Sequence, residues 1–313
     1  MDLFVGLDLG GTFLKSAIGD GKGRLLHKGM RPSAATASAQ AIFENMFAAV
    51  EELLTVAEQR GGTVRAIGVG SPGVIDVDRG RLLGQSPNLP HWVDVEIGKT
   101  ISQRFGLPSF ADNDANLMTL AEVVLGAGKG CRHAVCLTIG TGIGGGLYLN
   151  GQIYRGSHYA GAELGHTIIE FDGRACPCGG RGCLEQYASA PATVRDYIVR
   201  LQEAGRPLPA QVDTKLIFER ARQGEPEALA AVTQTSSYLG AGIASFANAL
   251  NPEVVIIGGG VAEAGDFFLA RVAAAVQQRA MPTAWKNLRI RRAALGNDAG
   301  VIGAILLAAQ MIN

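Results

Sequence analysis

One histidine and three cysteines in the sequence have the types and spacing that bind a metal. They are His166, Cys176, Cys178 and Cys183, and the cysteines fall within eight residues. Thiolate and imidazole are the ligands that zinc prefers, and four of them fill its tetrahedral shell, so the spacing predicts a structural zinc site. The alternative is two or three free cysteines with a histidine nearby.

Two glutamates flank this cluster, Glu163 before His166 and Glu185 after Cys183. Carboxylates accept hydrogen bonds from neighbouring hydroxyls of a sugar. Bound zinc would order the loop over 165–185, which has little apolar content, and would thereby fix both glutamates. His166 could bind zinc through one ring nitrogen and a sugar hydroxyl through the other. The alternative for both glutamates is a solvated surface acid.

A run of carboxylate and amide side chains, Asp-Asn-Asp-Ala-Asn over 112–116, lies between a predicted strand and a predicted helix. Phosphoryl transfer to a hydroxyl needs a group that accepts the hydroxyl proton, and an aspartate at a strand end suits that role. We assign it to Asp114. The alternative role of Asp114 is an N-cap of the helix. Asp112 or Asn113 would cap the helix at least as well, so the two roles are compatible.

Three glycine-rich turns each follow a predicted strand. Glycine lets backbone N–H groups approach phosphate oxygens closely and form an anion-binding nest. Any one of these turns alone is equally consistent with an ordinary hairpin, but three together favour one bound nucleotide. The second turn leads into a strand and has no Gly-Lys-Ser/Thr ending, so it is not a Walker A loop. The predicted nucleotide-binding residues are Gly10, Gly11 and Thr12, then Gly140, Thr141, Gly142 and Gly144, then Gly258, Gly259 and Gly260.

Two charged residues stand beside the first turn. Asp8 precedes it and could hold Mg²⁺ directly or through water, because magnesium prefers oxygen ligands. Lys15 follows the turn and could add a cation for the phosphates. The first turn therefore predicts a site for a nucleotide and its magnesium ion.

The composition is that of a well-packed globular protein of about two domains. Of 313 residues, 47% are hydrophobic and 18% are charged, and the net charge is zero. No run of Lys and Arg is long enough to bind nucleic acid or a membrane surface. Asp2 stands near the start, where a secretory signal peptide would carry basic residues. No apolar stretch reaches the ~18 residues that span a membrane. We therefore expect a cytoplasmic protein without a nucleic-acid or membrane partner.

The predicted elements form two halves that each begin with strand, Gly/Thr turn, strand, which suggests duplicated domains sharing one phosphate site. The first domain spans 1–116 with a C-terminal helix over about 298–313, and the second spans 117–297 with the loop over 165–185. We predict strands over 3–9, 14–18, 24–28, 64–69, 107–111, 133–139, 147–149 and 254–257, and helices over 39–60, 95–105, 116–125 and 301–311.

These residues together resemble the ROK family of sugar kinases and regulators (repressor, ORF, kinase), within the actin-like ATPase superfamily. The resemblance covers essentially the whole chain, and its His/Cys/Glu segment is the most specific part. The matching motifs are DLGGT at 8–12, GSPG at 70–73, DNDAN at 112–116, GTGIGGG at 140–146, ELGH at 163–166, CPCGGRGCLE at 176–185 and NPEVVIIGGG at 251–260.

The resemblance implies an α/β fold of two actin-like (ribonuclease H-like) domains with an interdomain cleft and a structural zinc loop. It implies an ATP-dependent hexose kinase in which Asp114 is the catalytic base and the three glycine-rich turns bind ATP. By analogy with the family, we expect a homodimer or homotetramer. The residues implied to bind the sugar are Gly73, Asn113, Asp114, Glu163, His166 and Glu185.

The hexose itself stays open, because a small difference between pockets is worth only about 1–3 kcal/mol. We favour glucose, phosphorylated to glucose 6-phosphate, over N-acetylglucosamine, N-acetylmannosamine, mannose or fructose. Polyphosphate could replace ATP as the donor. A family repressor would carry a helix-turn-helix domain before the first turn, where Asp8 follows Met1 closely, so we do not expect one. A non-catalytic sugar sensor is a further alternative, against which Asp114 and the phosphate turns weigh.

Overall fold

The computed structural model describes residues 1–86 and 89–312, and the chain divides into two compact units. The first unit comprises Met1–Gly126, Ile153–Gly161 and Asn297–Asn313, and the second comprises Ala127–Gln152 and Ala162–Gly296. The sequence predicts a boundary at residue 116, whereas the first unit continues to Gly126. The chain also returns to the first unit twice, once within the second half and once at its end.

The described strands are β1 (Asp2–Leu9), β2 (Phe13–Gly19), β3 (Leu25–Pro32), β4 (Thr63–Ser71), β5 (Val74–Asp76), β6 (Arg81–Leu83), β7 (Gln85–Ser86), β8 (Leu89–Val93), β9 (Ser109–Asn113), β10 (Ala134–Ile139), β11 (Ile143–Leu149), β12 (Gln152–Tyr154), β13 (Val254–Gly258) and β14 (Arg289–Arg292). The described helices are α1 (Ala39–Gln59), α2 (Ile97–Phe105), α3 (Asp114–Val124), α4 (Glu185–Ala188), α5 (Ala190–Glu203), α6 (Thr214–Arg222), α7 (Pro226–Leu250), α8 (Asp266–Gln277), α9 (Pro282–Trp285) and α10 (Ala299–Met311). Short 3₁₀ helices cover Leu164–His166, Gly260–Ala264 and Gly296–Asp298.

The first unit is built on a five-stranded sheet of order β3-β2-β1-β4-β9. The first three strands form an antiparallel meander, and β4 and β9 run parallel to β1. Successive side chains of β1 point to opposite faces. Leu3, Val5 and Leu7 pack on one face, with α1, and Phe4 packs on the other face, with α10. Both faces of β1 are therefore covered, which explains its almost continuous apolar sequence.

Helix α1 carries its apolar residues at helical spacing, as the sequence predicts. Ile42, Met46 and Val50 are buried against the sheet. The helix begins where the Ser38 side chain accepts a hydrogen bond from the Ala41 backbone N–H. The amphipathic pattern and the cap together explain why the predicted bounds lie within one residue of the observed ones.

Helix α10 is buried nearly all round, which fits its uninterrupted apolar sequence. Val301 and Ile305 pack with Phe4 of β1. A Cβ built on Gly303 would lie 2.0 Å from the Leu117 carbonyl oxygen, so α10 and α3 touch backbone to backbone. Because α10 contacts both β1 and α3, it supports the two elements that carry the first glycine-rich turn and the DNDAN segment.

The second unit repeats the sheet order, as β12-β11-β10-β13-β14. Strands β10 and β11 are antiparallel, and β13 and β14 run parallel to β10. Leu137 of β10, Ile257 of β13 and Ile243 of α7 are fully buried in one core. No element is predicted for residues 185–253, where α4 to α7 supply much of that core. None of the helices described is both long and apolar enough to cross a bilayer.

Candidate active site

The junction of β9 and α3 holds the DNDAN segment. The Asn113 side-chain oxygen accepts hydrogen bonds from the backbone N–H groups of Ala115 at 2.9 Å and Asn116 at 3.2 Å, so Asn113 is the N-cap. Asp114 is the first residue of the helix, and its Oδ1 lies 2.9 Å from the Ala115 nitrogen. The helix N-terminus favours a negative charge at this carboxylate. The cap and the proposed base are therefore different residues.

Gly73 lies beside this junction. The side-chain amide of Asn113 donates a hydrogen bond to the Gly73 carbonyl oxygen at 3.0 Å. Ser71 at the end of β4 is in register with Asn113 at the end of β9, which explains why the segment after β4 reaches the junction. Three residues implied to contact a sugar, Gly73, Asn113 and Asp114, are thus brought together in the first unit.

The first glycine-rich turn joins β1 and β2, with Asp8 opposite Lys15. The Lys15 Nζ lies 3.6 Å from Asp8 Oδ2 and donates a hydrogen bond to the Asn297 carbonyl oxygen at 3.2 Å. Burial raises the pKa of Asp8 above its usual range, and the charge of Lys15 partly opposes that increase. Lys15 is therefore engaged with Asp8 in this structure. Gly10, Gly11 and Thr12 form the turn itself.

A glycine near the start of α10 makes room for Asp8. A Cβ built on Gly300 would lie 2.4 Å from Asp8 Oδ2, closer than atoms can approach. The absence of a side chain at Gly300 therefore lets the helix start contact this carboxylate. No sequence pattern pointed to this supporting role, because the two residues are far apart in the chain.

The other two glycine turns lie side by side in the second unit. One joins β10 to β11 and carries Gly140, Thr141, Gly142 and Gly144, and the other ends β13 and carries Gly258, Gly259 and Gly260. Gly259 has φ +82°, and a Cβ there would lie 2.3 Å from the Ile139 carbonyl oxygen. A larger residue would push the turns apart. The backbone at the ends of β10 and β13 thereby forms one continuous surface lined by glycines.

The histidine and cysteine ligand atoms predicted from sequence converge. The candidate ligand atoms of His166, Cys176, Cys178 and Cys183 all lie within 4.8 Å of one another. The Cys176 sulfur is 3.6 Å from His166 Nδ1, and the Cys178 and Cys183 sulfurs are 3.7 Å apart. Tetrahedral zinc with Zn–S bonds of about 2.3 Å separates its sulfurs by about 3.8 Å, so the donor set and spacing fit zinc.

The loop that carries these ligands has little apolar packing of its own. Ile168 is 67% exposed and Phe171 is 97% exposed. Its backbone is held by isolated bridges, between Ile168 and Cys183 and between Ala175 and Arg181. The Tyr187 hydroxyl accepts a hydrogen bond from the Arg174 N–H at 2.7 Å and anchors the loop to α4. The sequence reasoning missed Tyr187, because no spacing marks it.

Glu163, His166 and Glu185 lie in the second unit around this loop. Glu163 precedes the 3₁₀ helix that ends in His166, and Glu185 is the first residue of α4. The Ile143 backbone N–H donates to Glu185 Oε2 at 2.8 Å, so Glu185 touches the β10–β11 turn. Partial burial raises the pKa of Glu163, His166 lowers it and Glu185 raises it. The three side chains are therefore close enough to influence one another.

The model of the ROK family matches residues 4–311 of the chain. A glucokinase of Thermotoga maritima is 35% identical over 315 residues, which cover 98% of each chain. A ROK hexokinase structure from Thermus thermophilus has a TM-score of 0.84 and 38% identity and covers 99% of both chains. A ROK family glucokinase from Streptomyces griseus, solved in complex with glucose and AMPPNP, has a TM-score of 0.83 and 33% identity, over 98% of this chain and 99% of that one.

Proposed function

The chain belongs to the ROK family, and we propose that it is a hexose kinase that transfers the γ-phosphoryl group of ATP to the 6-hydroxyl of glucose. The observation that carries the proposal is full-length similarity to glucokinases, one of them solved with glucose and an ATP analogue. The carboxylate at the start of α3 supports it, because this reaction needs a proton acceptor.

Asp114 is the proposed base. Its carboxylate takes the proton of the 6-hydroxyl while the sugar oxygen attacks the γ-phosphorus, and the bond from that phosphorus to the bridging oxygen of ADP breaks. The products are glucose 6-phosphate, ADP and a proton on Asp114 that passes to water. The cap of α3 supports this role, because the Asn113 side chain is the N-cap and Asp114 is not.

The remaining sugar contacts are assigned to Gly73, Asn113, Glu163, His166 and Glu185. Carboxylates accept hydrogen bonds from adjacent hydroxyls, and the Asn113 amide and the His166 ring can donate or accept. His166 Nδ1 faces the Cys176 sulfur. Nε2 is then the ring nitrogen for a sugar hydroxyl.

The nucleotide is assigned to the three glycine turns, whose backbone N–H groups suit phosphate oxygens. Asp8 would hold magnesium directly or through water, with Lys15 beside it. When bound, the magnesium ion neutralises charge on the phosphates. The β10–β11 turn and the Gly258–Gly260 turn lie together, which favours a single ligand on both.

Zinc is assigned to His166, Cys176, Cys178 and Cys183 as a structural ion. The four protein ligands fill a tetrahedral shell, so the ion takes no part in phosphoryl transfer. Its contribution is to order a loop that lacks apolar anchors and thereby to fix His166 and the two flanking glutamates.

A coupled ADP-release assay tests the proposed function. Purified protein with Mg-ATP is given glucose, mannose, fructose, N-acetylglucosamine and N-acetylmannosamine in turn, with polyphosphate as an alternative donor. We expect the highest kcat/KM with ATP and glucose. Asp114→Asn in the same assay controls for contaminating kinases. Glucose binding by calorimetry without turnover on any donor would contradict the kinase and indicate a sugar sensor.

We also propose a cytoplasmic homodimer or homotetramer, by analogy with family kinases. Sedimentation equilibrium of the purified protein tests the assembly. A monomer at micromolar concentration would contradict it.

A further inference from the structure

Asp112, just before the N-cap of α3, is a buried carboxylate with four hydrogen bonds. Its side chain is 1% exposed. Oδ1 accepts from the Asn113 backbone N–H at 2.7 Å and from the Asn116 side-chain amide at 3.1 Å. Oδ2 accepts from Arg155 Nε at 3.0 Å and Nη2 at 2.6 Å. One oxygen thus holds the DNDAN segment, and the other is held by an arginine distant in sequence.

Arg155 comes from the segment over 153–161, which belongs to the first unit although the chain on either side belongs to the second. The Gly161 N–H donates to the Arg155 carbonyl oxygen at 2.8 Å and closes the segment into a tight loop. The Tyr159 hydroxyl donates to Asp78 Oδ2 at 2.6 Å and anchors the loop. The arginine is therefore fixed at its own backbone as well as at its guanidinium.

The charge balance explains why Asp112 depends on this arginine. A buried carboxylate that loses its cation keeps the full cost of desolvation, so breaking such a pair is far more damaging than breaking an exposed one. Arginine also presents two N–H groups in a fixed plane, which orients the carboxylate as well as neutralising it. The orientation of Asp112 in turn fixes the Asn113 N–H and the Asn116 side chain on either side of Asp114.

We propose that Arg155 is a positioning residue for phosphoryl transfer. It orients Asp112, and Asp112 holds the Asn113–Asn116 turn from which the Asp114 carboxylate extends. Arg155 contacts neither substrate in this scheme. The inference rests on the proposed function, in which Asp114 is the base, but its structural part, the ordering of this turn, can be measured without turnover.

The test compares Arg155→Gln with Arg31→Gln. Arg31 is a matched control because its side chain is 27% exposed and that of Arg155 is 24% exposed, while its partner Glu52 is 53% exposed. We expect Arg155→Gln to lower kcat per glucose-binding site by about 10- to 100-fold, since a small misplacement of a catalytic group costs that much. Arg155→Lys should recover part of the loss, and Arg31→Gln should stay within about threefold of wild type.

Hydrogen–deuterium exchange supplies the second measurement. We expect faster exchange in Arg155→Gln at peptides covering 109–120, with the rest of the chain unchanged, and no such change in Arg31→Gln. Unchanged exchange at 109–120 together with near wild-type kcat would overturn the proposal. So would a uniform increase across the chain, which indicates general destabilisation. If Arg155→Gln does not fold, Arg155→Lys carries both measurements. A wild-type protein without turnover would refute the proposed function instead. Hydrogen–deuterium exchange would then be the one measurement that tests whether Arg155 orders the turn.

Discussion

The β1–β2 turn of the first unit and the β10–β11 turn of the second join equivalent antiparallel strands but differ in charge. In the first unit Asp8 stands opposite Lys15 across the hairpin, whereas in the second unit Thr138 stands opposite Gly144. Both hairpins lie at the same place in sheets of the same order. The first turn therefore carries the charged pair proposed to hold a metal ion and phosphate, while the second offers mainly backbone N–H groups. The fold supplies the turn, and the side chains decide its chemistry.

The fifth strands of the two sheets differ in the same way. Strand β9 leads into Asn113 and Asp114, whereas β14 ends at Arg292. In the second unit the acids lie instead around the candidate metal ligands, as Glu163 and Glu185. We infer that proton transfer and metal–phosphate chemistry belong to the first unit, and that the second unit serves mainly to hold the sugar and the nucleotide.

Replacing the proposed base, Asp114, should have the largest effect on the chemistry assigned to the first unit. We expect Asp114→Asn to lower kcat by about 10²- to 10⁴-fold with glucose binding retained, because the amide keeps the shape but cannot accept the proton. Steady-state kinetics and glucose calorimetry measure the two quantities. Turnover within about tenfold of wild type would remove Asp114 from this role.

The two hairpins can be compared directly by substituting their equivalent positions. Asp8→Asn should lower kcat about 10- to 100-fold and raise the magnesium concentration needed for half-maximal rate, because the proposed metal ligand loses its charge. Thr138→Val should leave both quantities within about threefold, since no charge is lost there. Magnesium titrations at saturating ATP and glucose give the comparison. Equal losses in both variants would refute the charge difference between the turns.

The zinc loop should matter for sugar binding and stability more than for chemistry. Cys178 is exposed, so Cys178→Ser removes little packing but one proposed ligand. We expect loss of zinc, a lower unfolding temperature and about tenfold weaker glucose binding. Cys131→Ser, outside the cluster, should keep its zinc. Metal analysis, thermal unfolding and calorimetry test this, and a zinc-free wild-type protein with full sugar affinity would contradict it.

Local patterns predicted much of the first unit and the four side chains that converge as a possible metal site. Strand β1 is an almost continuous apolar run, α1 has apolar residues at helical spacing, and the histidine and cysteines are close in sequence. The ROK family and the α/β class were confirmed by the comparisons. The site residues assigned to sugar and nucleotide stay predictions, because neither the structure nor the comparisons test each side chain.

What the sequence did not predict depends on contacts between distant residues. Helices α5 to α7 are an exception, because their starts carry local signals that the sequence prediction missed: Ser189 and Asp213 cap α5 and α6, and Pro226 lies in the first turn of α7. The contact of Gly300 with Asp8 and the pairing of Arg155 with Asp112 join residues more than a hundred positions apart or from separate segments. Such pairs follow from topology, which a single sequence does not specify.

The strands that extend the two hairpins, β3 and β12, give the prediction with the smallest expected effect. Strand β3 has eight residues, whereas β12 has three, and the chain after β12 forms the loop anchored by Tyr159. The hydrogen bond to Asp78 raises the pKa of Tyr159 from 10.0 to about 12. That bond stabilises the loop fully below the ordinary tyrosine pKa of about 10 and is lost as the pH rises through about 12.

Alkaline ultraviolet titration measures this anchor. Tyr159→Phe should remove one phenol that titrates near pH 12, and Asp78→Asn should return that pKa toward 10. Because the phenol is neutral at pH 7, Tyr159→Phe should leave the charge there unchanged, whereas Asp78→Asn replaces a carboxylate by a neutral amide. A wild-type Tyr159 that titrates at the ordinary pKa would mean that the hydrogen bond to Asp78 does not form. The loop that carries Arg155 would then lack this anchor, and its position would depend more strongly on the ion pair of Arg155 with Asp112.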